Sequence, residues 1–104
     1  MEFKNRKFRF FDEVYSLEFV DSITNPDEDV HSFGYTDLVS KRIFIALKDN
    51  KGKPHSESHI KNIIRHELMH VVLLEGQYLE EGADEPLVEW LAKSLGILIK
   101  EKLI

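Results

Sequence analysis

Ser56-Glu57-Ser58-His59-Ile60-Lys61-Asn62-Ile63-Ile64-Arg65-His66-Glu67-Leu68-Met69-His70-Val71-Val72-Leu73-Leu74-Glu75 contains neither glycine nor proline. Its apolar residues Ile60, Ile64, Leu68, Val71 and Val72 recur at helical spacing, which predicts an amphipathic helix with these side chains as the core stripe. Ser56 or Ser58 suits the N-cap, and Gly76 the C-cap. Downstream, Asp84 is a good N-cap with Glu85 and Pro86 in the first turn behind it. A second helix is expected from there through Leu87, Val88, Leu91, Ala92 and Leu95, with Trp90 and the leucines in the core and Gly96 as a point of bending.

Upstream the period changes to two. Phe3 to Phe11 alternates basic and aromatic residues, and Val14 to Val20 places Tyr15, Leu17 and Phe19 opposite Ser16 and Glu18, so a hairpin turning at Asp12-Glu13 is predicted. Thr24 to Asp29 reads as an acidic loop, and Arg42-Ile43-Phe44-Ile45-Ala46-Leu47 as a third, β-branched and aromatic strand. The pattern is that of an α+β domain: a three-stranded, mostly antiparallel sheet followed by two helices.

At 104 residues, with 42% hydrophobic and 32% charged residues, the chain is expected to be a single globular domain spanning residues 1–104. A formal net charge of −5 argues against a broad nucleic-acid footprint, and the run Lys4, Arg6, Lys7, Arg9 is what a half-buried strand shows on its outer face. There is no cysteine, so a metal would have to be held by His, Asp or Glu. The charged N-terminal stretch and the lack of a long apolar run predict no signal peptide, no membrane span and a cytoplasmic location.

The chemistry lies in His66-Glu67-Leu68-Met69-His70. Residues four apart stand one above the other on a helix, so His66 and His70 can converge on one cation while Glu67 reaches a metal-bound water. Without a partner, two imidazoles and a carboxylate beside an apolar stripe would be costly, and a zinc ion removes that cost. A catalytic zinc takes three protein ligands and a water, and the second helix offers Glu85 and Glu89 on one face. Glu85 is the expected third ligand. Glu89, one turn on, suits an outer role, accepting a hydrogen bond from the far nitrogen of a ligand histidine.

His66-Glu67-Leu68-Met69-His70 followed by Asp84-Glu85-Pro86-Leu87-Val88-Glu89-Trp90-Leu91-Ala92 resembles the paired-helix signature of gluzincin metallopeptidases, in particular the small phage- and bacterium-encoded proteins similar to ImmA/IrrE. Gly34-Tyr35-Thr36-Asp37 and Arg42-Ile43-Phe44-Ile45 resemble that family's turn and edge strand, so the likeness spans roughly residues 33–95. It implies a small zincin-like domain, with the sheet packed on the HExxH helix and a C-terminal glutamate helix. It implies Zn2+ as cofactor, Glu85 as ligand, and Glu89 where the family usually has an aspartate against a ligand histidine.

The expected activity is hydrolysis of a peptide or protein substrate by a metal-activated water, with Glu67 as general base. The strand 42–47 would hold the extended substrate by edge pairing. Tyr35, Tyr78, His31, His55 and His59 are chemically able to steady the oxyanion. The rival expectation is a catalytically inactive, zinc-stabilised binding or regulatory protein of phage or mobile-element origin. Nothing in the pattern demands a partner copy, so a monomer is expected.

Overall fold

The computed structural model describes residues 3–25 and 30–104, and the Asp27-Glu28-Asp29 part of the expected acidic loop lies outside them. The chain is α+β, with six strands and three helices among the described residues. It divides into two compact units, Met1–Ile60 and Lys61–Ile104.

The first unit carries β1 (Arg6–Phe10), β2 (Glu13–Val20), β3 (Ile23–Asn25), β4 (Val30–Ser32), β5 (Gly34–Asp37) and β6 (Arg42–Ala46). The sheet has four strands rather than the expected three, in the order β1-β2-β6-β5. β1 and β2 form the expected antiparallel hairpin, β5 and β6 are antiparallel, and the central pair β2–β6 is parallel. The added strand, Gly34-Tyr35-Thr36-Asp37, shows no apolar alternation because its inward positions, opposite Ile45 and Ile43, are Gly34 and Thr36. A further correction follows for β6: its two edges are occupied by β2 and β5, so it has no free edge for a substrate strand. Thr24 and Asn25, expected in a loop, pair with β4.

Register explains which face is buried. Leu17 stands beside Ile43 and Phe19 beside Ile45, and Tyr15, Ile43 and Ile45 are fully buried. On the opposite face Arg42 grips Glu18 through Nε at 2.7 Å and Nη2 at 2.9 Å, and Ser16 Oγ donates to the same carboxylate at 2.8 Å. The guanidinium first, then the hydroxyl, hold the Glu18 carboxyl down at about 2. The hairpin turns at Phe11-Asp12, one residue before the expected Asp12-Glu13, because Phe10 pairs with Glu13. A two-residue hairpin turn needs a positive φ, and Phe11 supplies it at 54°.

Helix α1 (Glu57–Glu75) begins as expected: Ser56 Oγ accepts from the His59 amide at 3.1 Å. The boundary between the units falls inside this helix. The second unit adds a short α2 (Leu79–Gly82) and α3 (Glu85–Lys100). Asp84 caps α3, its carboxylate accepting from the Leu87 amide, and Pro86 sits in the first turn where its missing N–H costs nothing. α3 runs through Gly96 as part of the helix. A Cβ there would stand 3.1 Å from Arg65 Nη1, so this glycine lets the Arg65 side chain of α1 lie against α3.

The buried stripe of α1 differs from the expected one. It is Ile60, Ile63, Glu67 and Val71, whereas Ile64 and Leu68 are half-buried and Val72 is exposed. On α3 the buried residues are Val88 and Ala92, and Trp90 is 68% exposed instead of lying in the core. Val88 and Trp90 are two residues apart, about 200° around a helix, so burying Val88 turns Trp90 outward.

α1 ends at Glu75 with Gly76 in the expected C-cap place, and the left-handed residue is the next one, Gln77. Gln77 adopts φ 70°, its amide reaches Leu74 O at 3.1 Å, and the Tyr78 amide reaches Leu73 O at 2.8 Å, which closes the helix with a left-handed residue after the last turn. Gly76 lies under the Tyr78 ring, which a Cβ would meet at 3.1 Å. A side chain at positive φ is strained, so Gln77→Gly is expected to stabilise the protein by about 0.5–1 kcal/mol, read as a melting temperature raised by a few degrees.

Candidate metal centre

His66, His70 and Glu85 lie in the second unit and offer ligand atoms that are all within 4.8 Å of one another. His66 and His70 come from successive turns of α1, their ring centroids 5.0 Å apart and their planes at 69°. Glu85 comes from the first turn of α3, where the Asp84 cap fixes the start of the helix. Its carboxylate spans the two rings, with Oε2 at 2.9 Å from His66 Nε2 and Oε1 at 3.1 Å from His70 Nε2.

The outer nitrogens are engaged as well. His70 Nδ1 lies 2.7 Å from the carbonyl of Gly82, and His66 Nδ1 lies 3.2 Å from Glu89 Oε2. The Gly82 carbonyl only accepts, so His70 Nδ1 is a donor, and in the neutral ring its Nε2 keeps the lone pair. His66 stands between two carboxylates, Glu89 at Nδ1 and Glu85 at Nε2, so either of its nitrogens can donate. With its proton on Nδ1, His66 Nε2 would join His70 Nε2 and the Glu85 carboxylate in a group that could hold a metal ion.

The dimensions fit with small adjustment. Ligand atoms about 2.1 Å from a tetrahedral ion stand roughly 3.4 Å from one another, a few tenths of an ångström beyond the contacts across the carboxylate. Glu85 is 65% exposed, so its side chain can take up the difference, while His66 and His70 are only 15% and 13% exposed.

Glu89 is held from its other oxygen by Asn62 Nδ2, at 3.0 Å. The Asn62 amide is the largest influence holding the Glu89 carboxyl below its ordinary value, with the charges of His66 and Lys93 assisting and burial opposing. Glu67 is not part of the ligand triangle. It is the one buried charged residue among the described residues, 6% exposed, between Ile63 and Val71 on the buried stripe.

The structure thus gathers His66, His70 and Glu85, and sets Glu89 behind His66. Sequence reasoning missed two participants, Asn62 and the Gly82 carbonyl. Asn62 precedes His66 by one helical turn, a signal that could have found it; a main-chain carbonyl carries no sequence signal. Gly82 is buried, and a Cβ on it would stand 2.6 Å from Leu74 Cγ and Cδ2. Gly82→Ala is therefore expected to destabilise the protein by about 1–3 kcal/mol, lowering the melting temperature. It should also weaken metal binding by displacing the carbonyl that aims His70.

Among the expected oxyanion donors, Tyr78 shares the second unit with His66, His70 and Glu85 and covers Gly76. The others belong to the first unit. Tyr35 stacks on Phe44, and His55 and His59 stand edge-on to Phe33 and to each other. Burial first, then the neighbouring His59, push the His55 imidazole below its ordinary value. The side chain of His31 lies outside the described residues. Among the described residues no helix is long and apolar enough to cross a membrane.

Comparisons of the chain with protein-family models, with curated proteins and with solved structures found no match.

Proposed function

We propose that the protein is a zinc-dependent peptidase of the gluzincin kind, with His66, His70 and Glu85 as metal ligands and Glu67 as general base. The observation that supports this reading is the gathering of His66, His70 and Glu85 with ligand atoms within 4.8 Å of one another, each outer Nδ1 lying against an oxygen acceptor. Two imidazoles and one carboxylate are the donor set of a hydrolytic zinc, and a three-residue set leaves a position for water. Bound zinc would supply a water of lowered pKa and polarise a substrate carbonyl.

The residues of the chain do the rest. His66 and His70 would hold the ion from partly buried positions, with Glu89 and the Gly82 carbonyl against their outer nitrogens. Glu67 takes the proton from the attacking water and returns it to the leaving amine. Its place next to His66 on α1, in the HExxH spacing, supports a chemical role for Glu67.

Purified protein is expected to contain about one zinc per chain, and to cleave an unfolded casein substrate until a chelator is added. Glu85→Ala should lower the zinc content. Zinc uptake with no cleavage across a peptide library would replace the peptidase with a zinc-stabilised binding protein. Absence of zinc uptake would overturn both.

A further inference from the structure

We propose that Asn62 is a positioning residue for the metal centre, clamping Glu89 so that Glu89 fixes the ring of His66. The inference rests on the metal-centre reading for its consequence, and on geometry alone for the clamp.

The two histidines are aimed by unlike devices. The outer nitrogen of His70 meets the main-chain carbonyl of Gly82, which α2 holds in place. The outer nitrogen of His66 meets a glutamate side chain with three torsions, 37% exposed on α3. Such a side chain left to itself samples several rotamers, and each excursion would free His66 to rotate or to move its proton to Nε2, the atom a metal needs. Asn62 removes that freedom. Its Nδ2 donates to Glu89 Oε1 at 3.0 Å while Oε2 faces His66 Nδ1 at 3.2 Å, so the carboxylate is pinned at both oxygens.

The placement follows from helix geometry. Asn62 and His66 are four residues apart, so their side chains share a face of α1, and Glu89 reaches both from α3. An amide suits this position. A carboxylate could only accept and would repel Glu89, whereas an ammonium would compete with His66 for the same anion.

Two measurements test the clamp. Long-range proton–nitrogen NMR spectra at pH 8 of metal-free Glu85→Ala protein, in which His66 Nε2 has lost its facing carboxylate, report which nitrogen of His66 carries the proton. With Asn62 in place the proton is expected on Nδ1, and adding Asn62→Ala or Asn62→Asp is expected to shift it toward Nε2. Zinc competition against a chelating dye should show binding about 10-fold weaker in Asn62→Ala, and weaker again in Asn62→Asp, where a second carboxylate faces Glu89.

An Asn62 variant whose His66 tautomer and zinc affinity both equal those of its parent protein would overturn the proposal. So would a lower melting temperature without a tautomer change, because that is the mark of a packing role alone. Asn62→Asp preserves the shape if Asn62→Ala does not fold. A wild type that takes up no zinc, yet whose His66 tautomer responds to Asn62, would remove the zinc reading and leave the clamp standing.

Discussion

Zinc at about 1,000-fold above its dissociation constant is expected to stabilise the protein by about 4 kcal/mol, since binding to the folded state alone contributes RT ln(1 + [L]/Kd). For a domain of this size that corresponds to a melting temperature raised by about 15 °C or more. His66→Ala, His70→Ala and Glu85→Ala each remove one member of the ligand triangle. A variant that loses a hundred-fold in affinity would retain about 1.4 kcal/mol at the same zinc concentration, roughly a third of the effect. Glu89→Gln should fall between these variants and the wild type. It keeps an oxygen acceptor near His66 Nδ1 but removes the charge, and loss of such outer partners typically weakens metal binding about 10–100-fold. The measurement is a set of thermal melts with zinc, without it, and with chelator. Equal zinc responses in the wild type and all three ligand variants would mean that the ion binds elsewhere.

The order of these effects follows from exposure as well as from ligand count. Glu85 is 65% exposed, so Glu85→Ala removes a charge from near the two rings without opening a cavity. His66 and His70 are mostly buried, and their replacement also removes packing. Melts in chelator separate the two contributions: Glu85→Ala should match the metal-free wild type closely, while the histidine variants should melt lower.

Much of the local structure was legible because its causes are local. Ser56 and Asp84 are N-caps whose side-chain oxygens lie a few residues from the amides they accept. The hairpin of β1 and β2 follows from the alternation of Phe8 and Phe10 on one strand and Tyr15 and Leu17 on the next. The grouping of His66, His70 and Glu85 was legible for a related reason: the two histidines are fixed relative to each other by one helical turn, and Glu85 by its place behind the cap.

What escaped the sequence depends on distant partners. The parallel pairing of β2 with β6 joins residues such as Ser16 and Arg42, and no local pattern distinguishes it from an antiparallel arrangement. β5 was hidden because half of its side chains are small. Trp90 was expected inside on hydrophobicity alone, yet α3 has to present Glu85 and Glu89 to the histidines while burying Val88 and Ala92, and little of the helix circumference is left. The same competition moved the buried stripe of α1 onto Ile63 and Glu67. A carboxylate on the buried stripe departs from the apolar pattern that periodicity assumes.

Glu67→Gln is the variant in which chemistry and packing separate most clearly. The substitution keeps the shape of a side chain that is 6% exposed and lies outside the ligand triangle, so zinc content should be unchanged. Gln has no basic oxygen able to take a proton from water. Loss of a positioned general base typically lowers the rate about 10²–10⁴-fold, and the fall should appear in kcat rather than in KM. A zinc-loaded Glu67→Gln protein that still cleaves at the wild-type rate would remove Glu67 from the reaction. A variant that loses zinc together with activity would instead place Glu67 in support of the ligands, where its position between Ile63 and Val71 on the buried stripe of α1 would make it a structural member of the helix.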